Sequence, residues 1–205
     1  MCRLKSGILL RDRVYVPDHD SHDQMLKELG IQDDYVGASK KFVRFELSPK
    51  DGNLLTDVNT WAMTVDQDIV PSWFDADQEK YDGIIVDAVR EWAEKHIIKE
   101  GKHEKSEGIY YLINDAEITL RDNAKATLWD NAKATLWGNA QATLWDNAKA
   151  SLRGNAQATL RGNAQATLRD NASIGNCKIY DNAIAINHKD SKVYVNKEWN
   201  MEVLP

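Results

Sequence analysis

The residue best suited to nucleophilic chemistry is Cys2. Removal of the initiator Met1 would leave Cys2 with a free α-amino group, which titrates at about 8 and can act as the base for its own thiol. Arg3 and Lys5 would favour the thiolate and lower the pKa of that thiol. This pattern is that of a cysteine N-terminal-nucleophile hydrolase, but the sequence shows no matching Asn, Asp and Arg constellation. The alternative, an inert thiol buried beside a terminal strand, is the one we expect.

A second concentration of reactive side chains is the run PDHDSHD at residues 17–23. It places His19 and His22 among three aspartates, and imidazole and carboxylate groups are ligands of divalent metals. The same run is typical of a polar loop that leads into a helix, because aspartate is favoured near a helix N terminus. We therefore expect no metal and no other cofactor, with His19 and His22 as weak candidate ligands.

Tryptophan and arginine recur every eight residues in the second half of the chain. The positions are Trp129, Trp137, Trp145, Arg153, Arg161 and Arg169. Both residue types are enriched among the residues that dominate protein–protein binding, so this strip is a candidate binding surface. The alternative is self-stabilisation, because Trp over Trp and Arg over Trp stack without a ligand.

An octapeptide repeat sets these positions. From Asn114 to Cys177 its units read NDAEITLR, DNAKATLW, DNAKATLW, GNAQATLW, DNAKASLR, GNAQATLR, GNAQATLR and DNASIGNC; a ninth, DNAIAINH, follows a three-residue insertion. Positions three, five and seven are apolar in most units, and this alternation predicts a strand with one dry face. Asp or Gly at position one and Asn at position two predict a turn, since these residues tolerate a left-handed backbone.

Strand and turn in a constant register predict a parallel β-solenoid. Eight residues cannot close a coil, which leaves a coil of two units (16 residues) or a triangular coil of three (24 residues). The triangular coil would enclose a hole that alanine cannot fill, so we predict the 16-residue coil, with ladders of stacked Asn side chains. The solenoid is predicted to span residues 109–188. Residues 189–205 would cap it, with a last strand at Lys192–Val195 and Trp199 over the exposed end.

Residues 1–108 are predicted to form an acidic α+β domain, with a linker at Gly101–Gly108. Residues 1–113 contain 15 basic and 22 acidic residues, a net charge of −7. The predicted strands are Leu4–Leu10, Val14–Val16, Phe42–Leu47 and Trp61–Val65. A capping box of Ser21 and Gln24 predicts a short helix at His22–Leu29, and a second, longer helix would run from Asp75 to about Ile98 and pack on an antiparallel sheet.

Composition excludes several function classes. No apolar run approaches the roughly 18 residues of a membrane span, and the apolar stretch Gly7–Leu10 is too short for a signal peptide. Two cysteines fit a reducing, cytoplasmic location. The net charge of −6 shows no basic excess, which disfavours direct nucleic-acid binding, and the seven basic and six acidic residues of 114–177 disfavour DNA mimicry. We therefore expect a protein partner, either a host protein or a second copy of the chain, and no membrane.

The chain resembles a family of unassigned activity from gut Firmicutes and their phages. The resemblance rests on MCRLKSGILLRDRVYVPDHDSHDQMLKELGI, FVRFELSPKDG, VDQDIVPSWF and VREWAEKHI, and on repeats of the DNAKATLW type. It covers essentially the whole chain and implies a cytoplasmic, prophage-borne protein, with no catalytic residues to carry over. Small phage proteins often bind host machinery, so it points to an inhibitor of a host nucleic-acid or defence enzyme.

Three functions follow from the sequence. The first is a non-enzymatic protein–protein interaction module, in which the solenoid is a rigid scaffold or a dimerisation surface. The second is a hydrolase that uses Cys2, and the third is a structural spacer whose length sets a distance.

Overall fold

The computed structural model describes residues 5–32 and 41–196. Contacts between Cα atoms divide the chain into two compact units, with the boundary between Lys95 and His96. The strands of the first unit are β1 (Lys5–Leu10), β2 (Val14–Tyr15), β3 (Phe42–Ser48) and β4 (Ala62–Val65). Its helices are α1 (His22–Glu28), α2 (Ser72–Ala76) and α3 (Gln78–His96). The four strands form an antiparallel sheet in the order β2-β1-β3-β4, so the predicted α+β class is confirmed.

Strand alternation and one glycine explain the centre of this sheet. Strands β1 and β3 pair from Lys5 opposite Leu47 to Leu10 opposite Phe42. A Cβ atom on Gly7 would lie 2.3 Å from the ring of Phe45, so only glycine lets that ring cross the strand. Side chains of α1 complete a small core with the sheet; its buried members are Ile8, Met25, Leu26 and Phe42.

The helices differ from the sequence prediction in their ends. The hydroxyl of Ser21 accepts from the amide of Gln24 as predicted, but the Gln24 side chain donates to Glu28 rather than returning to Ser21. The single helix predicted from Asp75 to about Ile98 is interrupted near its start and ends at His96. Asp77 has a non-helical backbone that separates α2 from α3, and Ile97 begins a strand. No helix of the described ranges is long and apolar enough to cross a membrane.

The second unit is a parallel β-solenoid of two sheets. One sheet contains β5 (Ile97–Ile98), β7 (Ile109–Leu112), β9 (Lys125–Leu128), β11 (Gln141–Leu144), β13 (Gln157–Leu160) and β15 (Cys177–Ile179). The other contains β6 (Lys102–Lys105), β8 (Glu117–Leu120), β10 (Lys133–Leu136), β12 (Lys149–Leu152), β14 (Gln165–Leu168), β16 (Ile184–Asn187) and β17 (Lys192–Val195). Lys133 pairs with Lys149 and Gln141 with Gln157, which confirms the 16-residue coil.

The interior and the corners of the coils follow the repeat. The interior is a continuous core of Ala and Leu, and Leu128, Leu144 and Leu160 are fully buried one above another. Position one of the repeat takes the left-handed backbone, with φ of 53° at Asp130 and 65° at Gly138. The predicted role of Asp and Gly at the turns is therefore confirmed.

Two features of the solenoid correct the sequence prediction. The segment Gly101–Gly108 is no linker, because it contains β6, which pairs with β8; the parallel strands begin at Ile97, before the predicted start at residue 109. In the described residues, the predicted Asn ladders are reduced to one side-chain bond of 3.5 Å between Asn182 and Asn163. Backbone bonds join the turns instead.

The predicted last strand at Lys192–Val195 is confirmed. It is β17, which turns back and pairs antiparallel with β16 at the end of one sheet. Trp199, predicted to cover that end, lies outside the described residues.

Candidate functional site

The residues that follow each strand form two columns at the corners of the solenoid. The backbone amide of Trp145 donates to Leu128 and that of Arg161 to Leu144, each at 2.9 Å, so side chains one coil apart are held in line. We name the two sets by their central members. The Arg161 column is Trp129, Trp145, Arg161 and Tyr180, and the Trp137 column is Arg121, Trp137, Arg153 and Arg169. The sequence predicts this alignment, except for Tyr180.

In the Trp137 column, two guanidinium groups already have carboxylate partners. The Trp137 ring lies between Arg121 and Arg153, with guanidinium carbons 5.6 Å and 4.5 Å from its centroid. Arg121 forms an ion pair with Glu104, and Arg153 donates to Asp170 at 2.9 Å. This column is therefore largely satisfied by its own neighbours, as the self-stabilising interpretation requires. Arg169, the next member of the column after Arg153, has an exposed side chain.

In the Arg161 column, the guanidinium group lies between two aromatic rings. Its carbon is 5.1 Å from the Trp145 centroid and 4.4 Å from that of Tyr180. Within the described ranges, no carboxylate pairs with Arg161. The guanidinium carries five N–H donors, and its charge is attracted to a ring face without a carboxylate having to accept from any of them. Since Trp145 and Tyr180 are 37% and 38% exposed, the column offers a charged donor between two accessible rings.

Tyr180 is absent from the predicted column because the repeat pattern placed the insertion differently. That pattern put Cys177 at position eight and the extra residues in the segment after it. In the structure the extra residues form a short turn at Ile174–Asn176, and Cys177 pairs with Ala158 inside the coil. Tyr180 then takes the outward position below Arg161. The alternation in CKIY, equivalent to ATLW in a regular unit, is the signal that could have revealed it.

A second aromatic contact lies at the other end of the same column. The rings of Tyr111 and Trp129 are stacked, with centroids 6.1 Å apart and planes at 17°. The aromatic surface therefore extends from the first coils to Tyr180.

The outer face of the sheet that contains β6, β8 and β10 carries charged side chains that pair with one another. Lys102 and Lys133 lie 3.2 Å and 3.3 Å from the Glu117 carboxylate that separates them. Hydrogen bonds from these two ammonium groups lower the pKa of Glu117 below its usual range. This face is therefore a weaker candidate for a charged ligand than the Arg161 column.

The N-terminal nucleophile hypothesis cannot be placed on the structure, since Cys2 lies outside the described residues. Its predicted helper Lys5 is fully buried and donates to the Asp20 carboxylate at 2.7 Å and to the His19 carbonyl at 3.1 Å. The Lys5 ammonium also lies 4.9 Å from the Trp92 ring centroid. Burial lowers the pKa of Lys5 despite these contacts. Lys5 is therefore a buried structural residue of the first unit, held by its contacts with Asp20 and His19.

The weak candidate ligands His19 and His22 have different partners. Nε2 of His19 lies 3.0 Å from the carboxylate of Glu28. Nδ1 of His22 lies 3.1 Å from the carboxylate of Asp66, which the sequence analysis did not connect to it. The run at residues 17–23 therefore does not converge on one site.

The other cysteine, Cys177, is not suited to catalysis. Burial among apolar atoms raises the pKa of its thiol to about 11, so the thiolate is scarce near neutral pH.

Comparison of the chain with known protein families, curated proteins and solved structures finds no match. Its function has to be inferred from its own geometry.

Proposed function

We propose that this chain is a non-enzymatic protein-binding module, whose solenoid is a rigid scaffold that presents the Arg161 column to an acidic segment of a partner protein. The observation that carries the proposal is the Arg161 guanidinium, which lies over the rings of Trp145 and Tyr180 and has no carboxylate partner in the described residues.

The chemistry of the column favours an acidic and partly apolar ligand. Guanidinium groups bind carboxylates through two parallel hydrogen bonds, a geometry that lysine does not offer. The exposed rings on either side can bury apolar side chains next to the charged pair. Tryptophan, tyrosine and arginine are the residue types that most often dominate a protein interface.

The scaffold reduces the entropic cost of binding. Each coil is bonded to the next through its backbone, as shown by the amides of Trp145, Arg161 and Tyr180. The contacts with the two rings restrict the guanidinium before any ligand binds. A preorganised surface loses less conformational freedom on binding than a mobile one.

The resemblance to phage proteins and the acidic first half support a second candidate function, which uses a different surface of the chain. In it, the protein acts in the bacterial cytoplasm as a phage-encoded inhibitor of a host nucleic-acid or defence enzyme. Residues 1–113, with a net charge of −7, would compete for a basic groove on that enzyme. Added salt should then weaken the complex steeply, because it screens exposed charges. Salt-insensitive binding to a host enzyme would contradict this second function.

The first proposal, binding through the Arg161 column, is tested with peptides. The full-length protein is used to select from a random 12-residue peptide library, and affinities of selected peptides are measured by fluorescence anisotropy. We expect sequences that combine Asp or Glu with an aromatic residue. Loss of a charged hydrogen bond costs about 1.5–3 kcal/mol, so Arg161→Gln should weaken binding roughly 10- to 150-fold. Trp145→Ala should weaken it in the same direction.

Arg153→Gln is the matched control, because Arg153 also stacks on a tryptophan but already pairs with Asp170. We expect this variant to bind selected peptides within about twofold of the unmodified chain. Selection without acidic residues, or equal losses for Arg153→Gln and Arg161→Gln, would refute the proposed role of the column.

The two alternative functions have their own tests. Deletion of one full coil, residues 122–137, keeps the remaining register; if the chain is a spacer, this deletion alters reach while Arg161→Gln has no effect on partner affinity. The hydrolase alternative requires removal of Met1 and a reactive Cys2. Intact-mass analysis with a thiol probe ends that alternative if Met1 is retained or Cys2 does not react.

A further inference from the structure

The outer face of the sheet that contains β9, β11 and β13 carries three parallel rows of side chains. Alternation within each strand directs its first and third residues outward, and the residue after the strand belongs to the Arg161 column. The middle row is short, because it is mainly threonine, and we call the depression above it the threonine groove. Its middle row is Thr127, Thr143, Thr159 and Lys178, and the row opposite the Arg161 column is Lys125, Gln141 and Gln157.

The threonine groove runs along the axis of the solenoid and has the size of a ligand site. It encloses about 420 Å³ between Ile109 at one end and Lys178 at the other. Ligand clefts typically enclose about 300–1,000 Å³. Backbone hydrogen bonds hold each coil to the next, so the groove is formed before any ligand binds.

The charges around the groove are all positive. No outward position of β9, β11, β13 or β15 carries a carboxylate. Lys125 lies near one end and Lys178 at the other, and within the described ranges neither has a carboxylate or hydrogen-bond partner. Arg161 lies beside the groove. In a chain with a net charge of −6, this face therefore concentrates three cations that are not paired with acids.

The opposite sheet has a similar groove with a different charge. That groove encloses about 330 Å³ above Thr119, Thr135 and Ser151. Glu117 lies within it and pairs with Lys102 and Lys133. Shape alone does not distinguish the two grooves, but charge complementarity favours an acidic ligand only in the threonine groove.

The separation of the two lysines sets the length of the ligand. Strands β9 and β15 are three steps apart in their sheet, which is about 14 Å at about 4.8 Å per step. An extended chain advances about 3.3–3.4 Å per residue, so carboxylates four residues apart would face Lys125 and Lys178. The threonine hydroxyls and glutamine amides between them both donate and accept, as the main chain of an extended peptide requires.

We propose that the threonine groove binds an extended acidic segment of a partner protein, which runs along the solenoid axis from Lys125 to Lys178 with Arg161 at its side. This inference rests on the proposed function. It adds the path of the ligand, the spacing of its acidic residues and two residues that select for that spacing.

The test uses acidic peptides selected with the full-length protein, with affinities measured by fluorescence anisotropy. Thr143→Tyr fills the centre of the groove, and the same row already holds an aromatic ring at Tyr111. We expect this variant to weaken binding by more than about tenfold, because the new ring occupies the path of the peptide. Thr135→Tyr makes the same change in the opposite groove and should alter affinity less than about twofold. Circular dichroism verifies that both variants are folded.

Substitution of the lysines tests the ends of the groove. Lys125→Gln and Lys178→Gln should each weaken binding roughly two- to fivefold, the size of an exposed ion pair, and should reduce its dependence on salt. Lys149→Gln is the control, because Lys149 also has no partner in the described residues but lies on the opposite sheet. Peptides with two acids four residues apart should bind more tightly than peptides of the same composition with acids two residues apart.

The outcomes separate this inference from the proposed function. Weaker binding by Arg161→Gln together with full binding by Thr143→Tyr would overturn the groove and leave the Arg161 column. Equal losses for Thr143→Tyr and Thr135→Tyr would overturn it as well. A dimer that Thr143→Tyr dissociates, measured by analytical ultracentrifugation, would assign the groove to a second copy of the chain instead. If Arg161→Gln weakens no acidic peptide, the proposed function fails and the groove fails with it.

Discussion

Replacement of Leu144 by alanine tests the closed interior of the solenoid directly. Leu144 is fully buried and lies between Leu128 and Leu160 of the adjacent coils. Leucine-to-alanine substitutions in protein cores lower the free energy of unfolding by about 2.7–5.0 kcal/mol, and more where the cavity cannot collapse. Strand β11 is bonded to β9 and β13 on both sides, so it cannot move inward. We therefore expect a loss of about 3–5 kcal/mol.

Native-state hydrogen exchange measures this loss in the full-length protein. Amides of the central strands that exchange only through unfolding of the solenoid should exchange roughly 10²- to 10⁴-fold faster in Leu144→Ala. Thr143→Ala is the control, because Thr143 is the adjacent residue and its side chain points to the outer face. That substitution should change the free energy by less than about 0.5 kcal/mol.

One result would refute the reasoning. If Leu144→Ala costs less than about 1 kcal/mol, or no more than Thr143→Ala, the leucines do not form the tightly packed columns that a closed 16-residue coil requires.

Three further predictions concern turns, thiols and acid. A Cβ atom on Gly138 would lie 3.5 Å from the amide nitrogen of Asp122. In Gly138→Asp the new carboxylate should therefore accept a hydrogen bond from that amide, and the melting temperature should be unchanged or raised. Gly138→Val should lower stability by about 1–2 kcal/mol, because a β-branched residue does not fit the left-handed turn; equal melting temperatures for the two variants would contradict this. Burial raises the pKa of the Cys177 thiol to about 11. Cys177 should therefore react with iodoacetamide at pH 8 far more slowly in the folded chain than in the urea-unfolded chain. Equal reaction rates, measured by peptide mapping, would show that the thiol is accessible in the folded chain. Hydrogen bonds from His19, Gln24 and Tyr15 lower the pKa of Glu28 to about 2, so its contribution to stability is complete above about pH 4.5 and is lost as the pH falls towards 2. Between these pH values, Glu28→Gln should reduce the pH dependence of the free energy of unfolding measured with urea. An unchanged pH profile would count against this hydrogen-bond network.

Features that the sequence encodes many times over were predicted correctly, whereas features with a single local signal were not. Alternation over successive octapeptides predicted the strands and the interior. The small interior residues predicted the 16-residue coil, and Asp, Gly and Asn at the first two positions predicted the corners. Ile97 and Ile98 carried a single ambiguous signal, since an apolar pair fits the end of a helix as well as a strand. Their pairing with Tyr111 and Leu112 decides for the strand.

The candidate sites were predicted only in part. The order of Trp145 above Arg161 follows from the period, because a 16-residue coil places them in line. Tyr180 was missed, since one irregular turn shifts the register after Ala172. His22 was considered with the aspartates beside it in the sequence, but its carboxylate partner, Asp66, lies 44 residues away.

The amino-acid sequence by itself determined the solenoid, because each octapeptide carries its own strand and turn and the period places unit above unit. Tertiary structure alone decided which charged groups are satisfied. Arg153 meets Asp170 while Arg161 meets two rings, and His22 meets a carboxylate 44 residues away. Such pairings depend on the distance between side chains in the folded chain, and local sequence patterns do not contain that distance.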